Sequence, residues 1–313
     1  MVPEAEFTSY YGRPIVKASP WEADIPIYLF LGGVAGGSSL LAAGADLTGR
    51  PNQRRVARLV ASGSILGSLY ALVHDLGRPA RFHHMLRVAK VTSPMSVGTW
   101  ILSAYGPFNA LAAAGEVVPF LPASLRRSLP IRPLSPLARP AGIVAALIAP
   151  AVASYTAVLL TDTATPSWHE AKRELPFVFI GSAAAASGGV GLMAGPLVET
   201  GPARRMAVGG AALELAASQI MQRSMGITAE PLHQGTAGNL HTASTVLTAA
   251  GAMGALAGRK SRIVSALSGV ALTVGSACTR FAVFHAGQES AKDPRYTVVP
   301  QRERRDRQAA ESR

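Results

Sequence analysis

Long runs of apolar residues, broken by short polar stretches, set the layout of this chain. A helix needs about 20 such residues to cross the hydrocarbon core of a bilayer. The runs at 24–46, 53–74, 94–116, 138–162, 174–196, 203–225, 239–258 and 262–286 each meet that length. The pattern therefore predicts an all-α, polytopic membrane protein with eight transmembrane helices. The runs are built from Ala, Gly, Leu, Val and Ser rather than from bulky residues, as expected where helices pack closely on one another in lipid. In the first run, LGGVAGGSS places Gly32 with Gly36 and Gly33 with Gly37, two overlapping small-xxx-small pairs. SAAAASGGVGLMAG in the fifth run has the same character.

Eight crossings return both termini to one side, here called A, with side B opposite. Side A receives the loops 75–93, 163–173 and 226–238, and the residue types sort sharply toward it. All seven histidines fall in side A loops or near side A helix ends, as do Trp21, Trp100, Trp168 and most of the acids. Side B carries Arg50, Arg54, Arg55, Arg58, Arg126, Arg127, Arg132, Arg139, Arg204, Arg205, Arg259, Lys260 and Arg262, with Asp46, Glu116 and Glu199 as its acids. It reads as short, basic and chemically bland, so side A is expected to be the working face. Lys and Arg in short loops mark the cytoplasm, which puts the termini and side A outside the cell membrane. The basic tail after Lys292 pulls the other way.

Composition agrees with the pattern. With 49% apolar and 15% charged residues over 313 positions, and a mean hydropathy of +0.25, the chain is too poor in charge for a soluble protein of its length. A net charge of +12 could point to nucleic acid, but the bases are scattered over short loops and form no continuous stripe. Residues 1–20 are polar and carry acids, with no basic stretch at the start, so the first run is expected to stay as a helix and not be cleaved as a signal. The single Cys278 can neither pair within the chain nor hold an iron–sulfur cluster alone, so any such cluster belongs to a partner.

The stretch HDLGRPARFHHMLRVAK, His74 to Lys90, interrupts this apolar chain with three histidines and four bases. Pro79 suits a first helical turn, and Phe82, Met85, Leu86 and Ala89 follow at helical spacing, which predicts an amphipathic interfacial helix over 78–90. His83 and His84 diverge by about 100° around such a helix, a poor arrangement for one metal ion, and no metal site is expected. A transmembrane two-haem wire needs histidines on both sides, and side B has none; a single haem on His74 with His241 or His285 stays open. Glu214 in mid-membrane and Arg280, about 9 Å from the side A end of its helix at 1.5 Å per residue, are costly groups and hence functional candidates. They predict either a structural contact of Glu214 with Arg or Ser, or a proton path toward side A that takes in Glu214, His241, Arg280 and Asp162. The glycines of the first run form no phosphate loop, since the Lys and Ser/Thr of that motif are absent.

DIPIYLFLGGVAGG in the first run, DLGRP after the second, SPMSVGTW opening the third, YTAVLLTDTATPSW closing the fourth and RFAVFHAGQESAKDPRYTVVPQ near the C-terminus together resemble the NrfD-like, polysulfide-reductase-type integral membrane subunits. The resemblance implies two four-helix bundles, 24–162 and 163–286, between a polar segment 1–23 and a basic tail 287–313. It implies a subunit without haem or iron–sulfur cluster of its own. Such a subunit exchanges electrons between a quinone, menaquinone or ubiquinone, and a ferredoxin-like partner with four iron–sulfur clusters, which serves a molybdopterin catalytic subunit. It places the family's helix-four tyrosine at Tyr155 and makes Asp75 and Arg78 site-forming or docking residues.

A quinone takes up two electrons and two protons, so its site needs an apolar pocket, donors at both oxygens and an acid/base route to water. Tyr28, Trp100 and Tyr155 can supply the wall and one donor. His74 and Asp75 can supply the other donor and proton exchange, since histidine titrates near neutral pH. Arg78, Arg81, Arg87 and Lys90 are then available to dock the iron–sulfur partner. The rival reading is a secondary transporter or ion-translocating subunit, which would gather its polar groups at the membrane midplane instead of at one face.

Overall fold

The structure is a computed structural model that describes residues 14–122, 124 and 134–311. Arg13, Arg126, Arg127, Arg132 and most of the expected polar segment 1–23 lie outside the described residues. All regular structure among the described residues is helical. The long helices are α1 (Asp24–Leu47), α2 (Pro51–His74), α3 (Pro94–Val117), α4 (Leu134–Thr161), α6 (Leu175–Ala194), α7 (Gly201–Ser224), α8 (Gly235–Ala257) and α9 (Arg262–Lys292), with a short α5 (Pro166–Glu170) and a C-terminal α10 (Arg295–Glu311). Each apolar run thus coincides with a helix. Five of them, α1, α2, α4, α6 and α9, are long and apolar enough to cross a membrane. In the others, helical hydroxyls are satisfied by bonding back to the preceding turn, as Thr99 does to Met95 O and Thr242 to Gly238 O.

Two expectations change at the helix ends. Residues 79–86 form a 3-10 helix rather than an α-helix continuing to 90, and Lys90 follows it without helical structure. With Pro79 at its start and basic residues on most sides, the segment has too short an apolar face to sustain α turns. The last long run does not stop at 286: α9 continues to Lys292 because its final turns, Ala286, Gly287, Ser290 and Ala291, are buried against the chain. Beyond it, α10 is tied back by ion pairs from Arg304 to Glu170 (2.9 Å) and from Arg295 to Glu230 (2.8 Å).

Small residues set the helix spacing. A Cβ on Gly36 would lie 2.8 Å from Ala149 O of α4, and one on Gly37 would lie 2.8 Å from Ala183 O of α6. The two halves of the GGxxGG pattern therefore seat α1 against α4 and α6, and Ser187 closes the second contact by donating to Val34 O (3.1 Å). Gly181 and Gly210 do the same between α6 and α7.

Side B proves far from bland. The C-terminal ends of α1 and α3 bring Asp46 and Glu116 between the N-terminal arginines of α2 and α4. Arg54 reaches Glu116 Oε1 at 2.6 Å and Asp46 Oδ1 at 3.1 Å, and Arg58 reaches Glu116 Oε1 at 2.9 Å. Gly142 of α4 leaves the room that Arg58 fills. Arg204 and Arg262 cap helix C-termini instead, on Ala255 O and on the carbonyls of Leu192 and Gly195. At the opposite end His74 joins α2 to Asp24 of α1 (2.7 Å). The first four helices therefore run alternately up and down, and the cavity described next lies at the His74 end.

Candidate functional site

A cavity of about 400 Å³ opens between α1, α2, α3 and α4 at the side A end. Its wall comes from Met95, Gly98, Thr99 and Leu102 of α3, one face of a helix at i, i+3, i+4 and i+7. Opposite stand Tyr28 and Ile25 of α1, Leu72 of α2, and Tyr155 and Leu159 of α4, while Trp21, Asp75, Gly77 and Met85 rim it. The lining is apolar apart from a few polar groups, the usual make-up of a small-molecule site.

Two details fix the geometry. Gly98 carries no side chain where a Cβ would strike the Tyr155 ring, so the ring packs directly against α3. The Tyr155 hydroxyl is buried and has no hydrogen-bond partner. Such an orphan costs roughly 1–3 kcal/mol, which a ligand oxygen accepting from it would recover. Asp75, just past the end of α2, is half-buried in the rim. Burial raises its carboxyl above the ordinary carboxylate range, and Asp24 and Glu22 push the same way, against the Glu22 backbone N–H and His74.

The other expected residues sit elsewhere. His74 is exposed, bonded to Asp24 and stacked on Tyr70, one residue from the cavity wall but turned from it. Trp100 lines a separate apolar groove of about 360 Å³ on the other face of α3, with Ile101 and Ile148, and donates to Val88 O (3.4 Å). Arg78, Arg81, Arg87 and Lys90 are all exposed on the segment whose Gly77 and Met85 rim the cavity. Trp21, Gly98 and Met85 were not anticipated. Trp21 stacks on Trp168 (5.9 Å between ring centres), and Trp168 in turn packs on Phe284 and donates to Val283 O (2.8 Å).

A second polar group lies deep between α7, α8 and α9. Thr279 Oγ1 donates to Glu214 Oε1 at 2.5 Å and lies 2.5 Å from Ser244 Oγ. Glu214 is thus held by a threonine and not by Arg280, whose guanidinium donates to Phe179 O (2.8 Å) and stacks on the Phe179 ring. His241 stands one helical turn before Ser244 and faces His233, their ring centres 5.9 Å apart. Asp162 is exposed at the end of α4. Among the described residues no three His, Cys, Asp or Glu side chains converge to hold a metal ion.

Five helices long and apolar enough to cross a membrane, together with a lined chamber at one end of the first four long helices, define a multi-pass membrane protein. The sequence matches the profile of the polysulphide reductase NrfD family over residues 15–224, more than half of the chain, and the protein belongs to that family. Members are membrane subunits of polysulphide-reductase-type oxidoreductases. The matched range contains Tyr28, Asp75, Gly98 and Tyr155, and stops before the C-terminal motif that begins at Arg280. No curated protein matches the chain.

Proposed function

We propose that this chain is the quinone-reactive subunit of a multi-subunit molybdopterin oxidoreductase. In this reading it anchors the complex in the cell membrane with eight crossings grouped as two four-helix bundles. It exchanges electrons with a ferredoxin-like iron–sulfur subunit docked on side A. The grouping draws support from the packing, in which α1 to α4 contact one another, α6 to α9 do likewise, and α1 and α4 meet α6 across the middle.

The observation that carries the reading is the buried, unpartnered Tyr155 hydroxyl in the wall of an apolar cavity. A quinone headgroup fits that chemistry: a flat ring with oxygens at opposite ends. Bound there it would supply two-electron, two-proton redox chemistry. Tyr155 donates to one ring oxygen, and Gly98 keeps the Tyr155 ring in place. Tyr28, Leu102 and Trp21 enclose the ring and exclude water. Asp75 holds a proton at the rim, and the His74–Asp24 pair beside it exchanges with the aqueous phase. Arg78, Arg81, Arg87 and Lys90 supply a basic surface at the cavity mouth for the partner.

The test is Tyr155→Phe in the assembled complex, which removes one donor and leaves the ring. The loss of one hydrogen bond, about 1 kcal/mol, lowers quinone-linked turnover about fivefold. Turnover from the iron–sulfur partner to an artificial acceptor stays normal. Unchanged quinone kinetics would remove Tyr155 from the site.

A further inference from the structure

The arginine ring at the side B end carries more positive charge than its carboxylates neutralise. Arg54, Arg55, Arg58 and Arg139 all lie within 3.7 Å of Asp46 or Glu116. Four guanidinium groups against two carboxylates leave a surplus of two charges. Arg58, Asp46 and Glu116 are 7%, 7% and 4% exposed, so the centre of the ring is shielded from water. Its field emerges chiefly at the two most exposed members, Arg55 (39% exposed) and Arg139 (66%).

Both arginines stand at the head of an apolar stripe. Along α2, Arg55 is followed on the same face by Leu59 and Leu66, and along α4, Arg139 is followed by Ile143 and Leu147. All four apolar residues are exposed. Arg55 also lies over the Phe120 ring at 4.8 Å, with its buried Nε turned toward Glu116 Oε2 (3.7 Å), which leaves the rest of the guanidinium to face outward. A guanidinium held in place by a ring and a carboxylate, a local charge excess and an apolar track leading from it into the membrane match one kind of molecule: a phosphate group carrying acyl chains.

We propose that this ring is a binding site for anionic phospholipid. The phosphates sit on Arg55 and Arg139, where guanidinium and phosphate can form paired hydrogen bonds, and the acyl chains lie along Leu59–Leu66 and Ile143–Leu147. The two phosphates neutralise the two surplus charges. Each basic residue near a membrane surface contributes about 1 kcal/mol of attraction to anionic lipid, or about fivefold in affinity.

The purified chain is reconstituted in phosphatidylcholine bilayers, with and without phosphatidylglycerol. Thermal unfolding and the lipid retained in native mass spectrometry are then compared with those of Arg55→Gln/Arg139→Gln. Phosphatidylglycerol raises the melting temperature of the parent chain, and retained lipid is enriched in it. The double variant loses the enrichment by about 25-fold, the product of two fivefold contributions, while its melting temperature in pure phosphatidylcholine stays near the parent's. Inorganic phosphate added to phosphatidylcholine bilayers reproduces neither effect. Equal retention of the two lipids by the parent chain overturns the proposal, without needing the variant to fold. So does equal enrichment in parent and variant, or full stabilisation by inorganic phosphate.

Discussion

At the residue scale, function at the cavity turns on one residue's helical phase. Asp75 follows His74 by about 100° of helical rotation, enough to put its carboxyl in the rim while the imidazole turns out to Asp24. Gly98 and Trp100 differ by about 200°, so the glycine meets Tyr155 and the tryptophan meets the opposite groove. Sequence alone brought Tyr28, Asp75, Trp100 and Tyr155 to the same end of the helices, but an aromatic near a helix start does not announce which way it points. Trp21, Met85 and Gly98 stayed hidden because their meeting depends on how α1, α3 and α4 pack, not on any local pattern. Burial favours the neutral form of Asp75, so its proton is lost at a higher pH than from an ordinary carboxyl. The pH profile of quinone-linked turnover should therefore carry an ionisation above the usual carboxylate range, and Asp75→Asn should remove it while later limbs stay.

At the element scale, the helices were legible to within about four residues at every end but the last, since an apolar run of membrane-crossing length has few alternatives. The 3-10 segment at 79–86 and the extension of α9 to Lys292 were not, because both are decided by contacts outside the run. The side B acids and arginines were visible, yet their pairing was not: a basic loop reads as a topology marker until the helices bring Asp46 and Glu116 between the arginines. The glycine pattern of α1 was read correctly as a packing device, and it separates two kinds of glycine in one helix. Gly37 presses on α6, whereas nothing lies within 4 Å of a Cβ at Gly44. Gly37→Ala should lower stability by about 1–3 kcal/mol through overpacking. Gly44→Ala should leave it unchanged or raise it by up to about 1 kcal/mol. Thermal unfolding in detergent compares the two.

At the scale of the whole molecule, polar groups away from the side B arginine ring gather in two places, the side A cavity and the Glu214–Thr279–Ser244 chain. If the second carries protons toward His241, Glu214→Gln reconstituted with its partners should abolish proton movement reported by a pH-sensitive dye while quinone turnover persists. Unchanged proton movement would make Glu214 a packing residue. The two places are joined by aromatic rings: Trp21 at the cavity, Trp168 buried behind it, and Phe284 on α9, the helix that also bears Thr279. This stack gives the protein an optical reporter of its own. A quinone ring against Trp21 drains the excited state of that indole, and the stacked Trp168 shares the loss. With only three tryptophans in the chain, titrating quinone should dim the intrinsic ultraviolet emission in a saturable way. Trp21→Phe should remove most of the quenching, so occupancy of the chamber can be followed without a label.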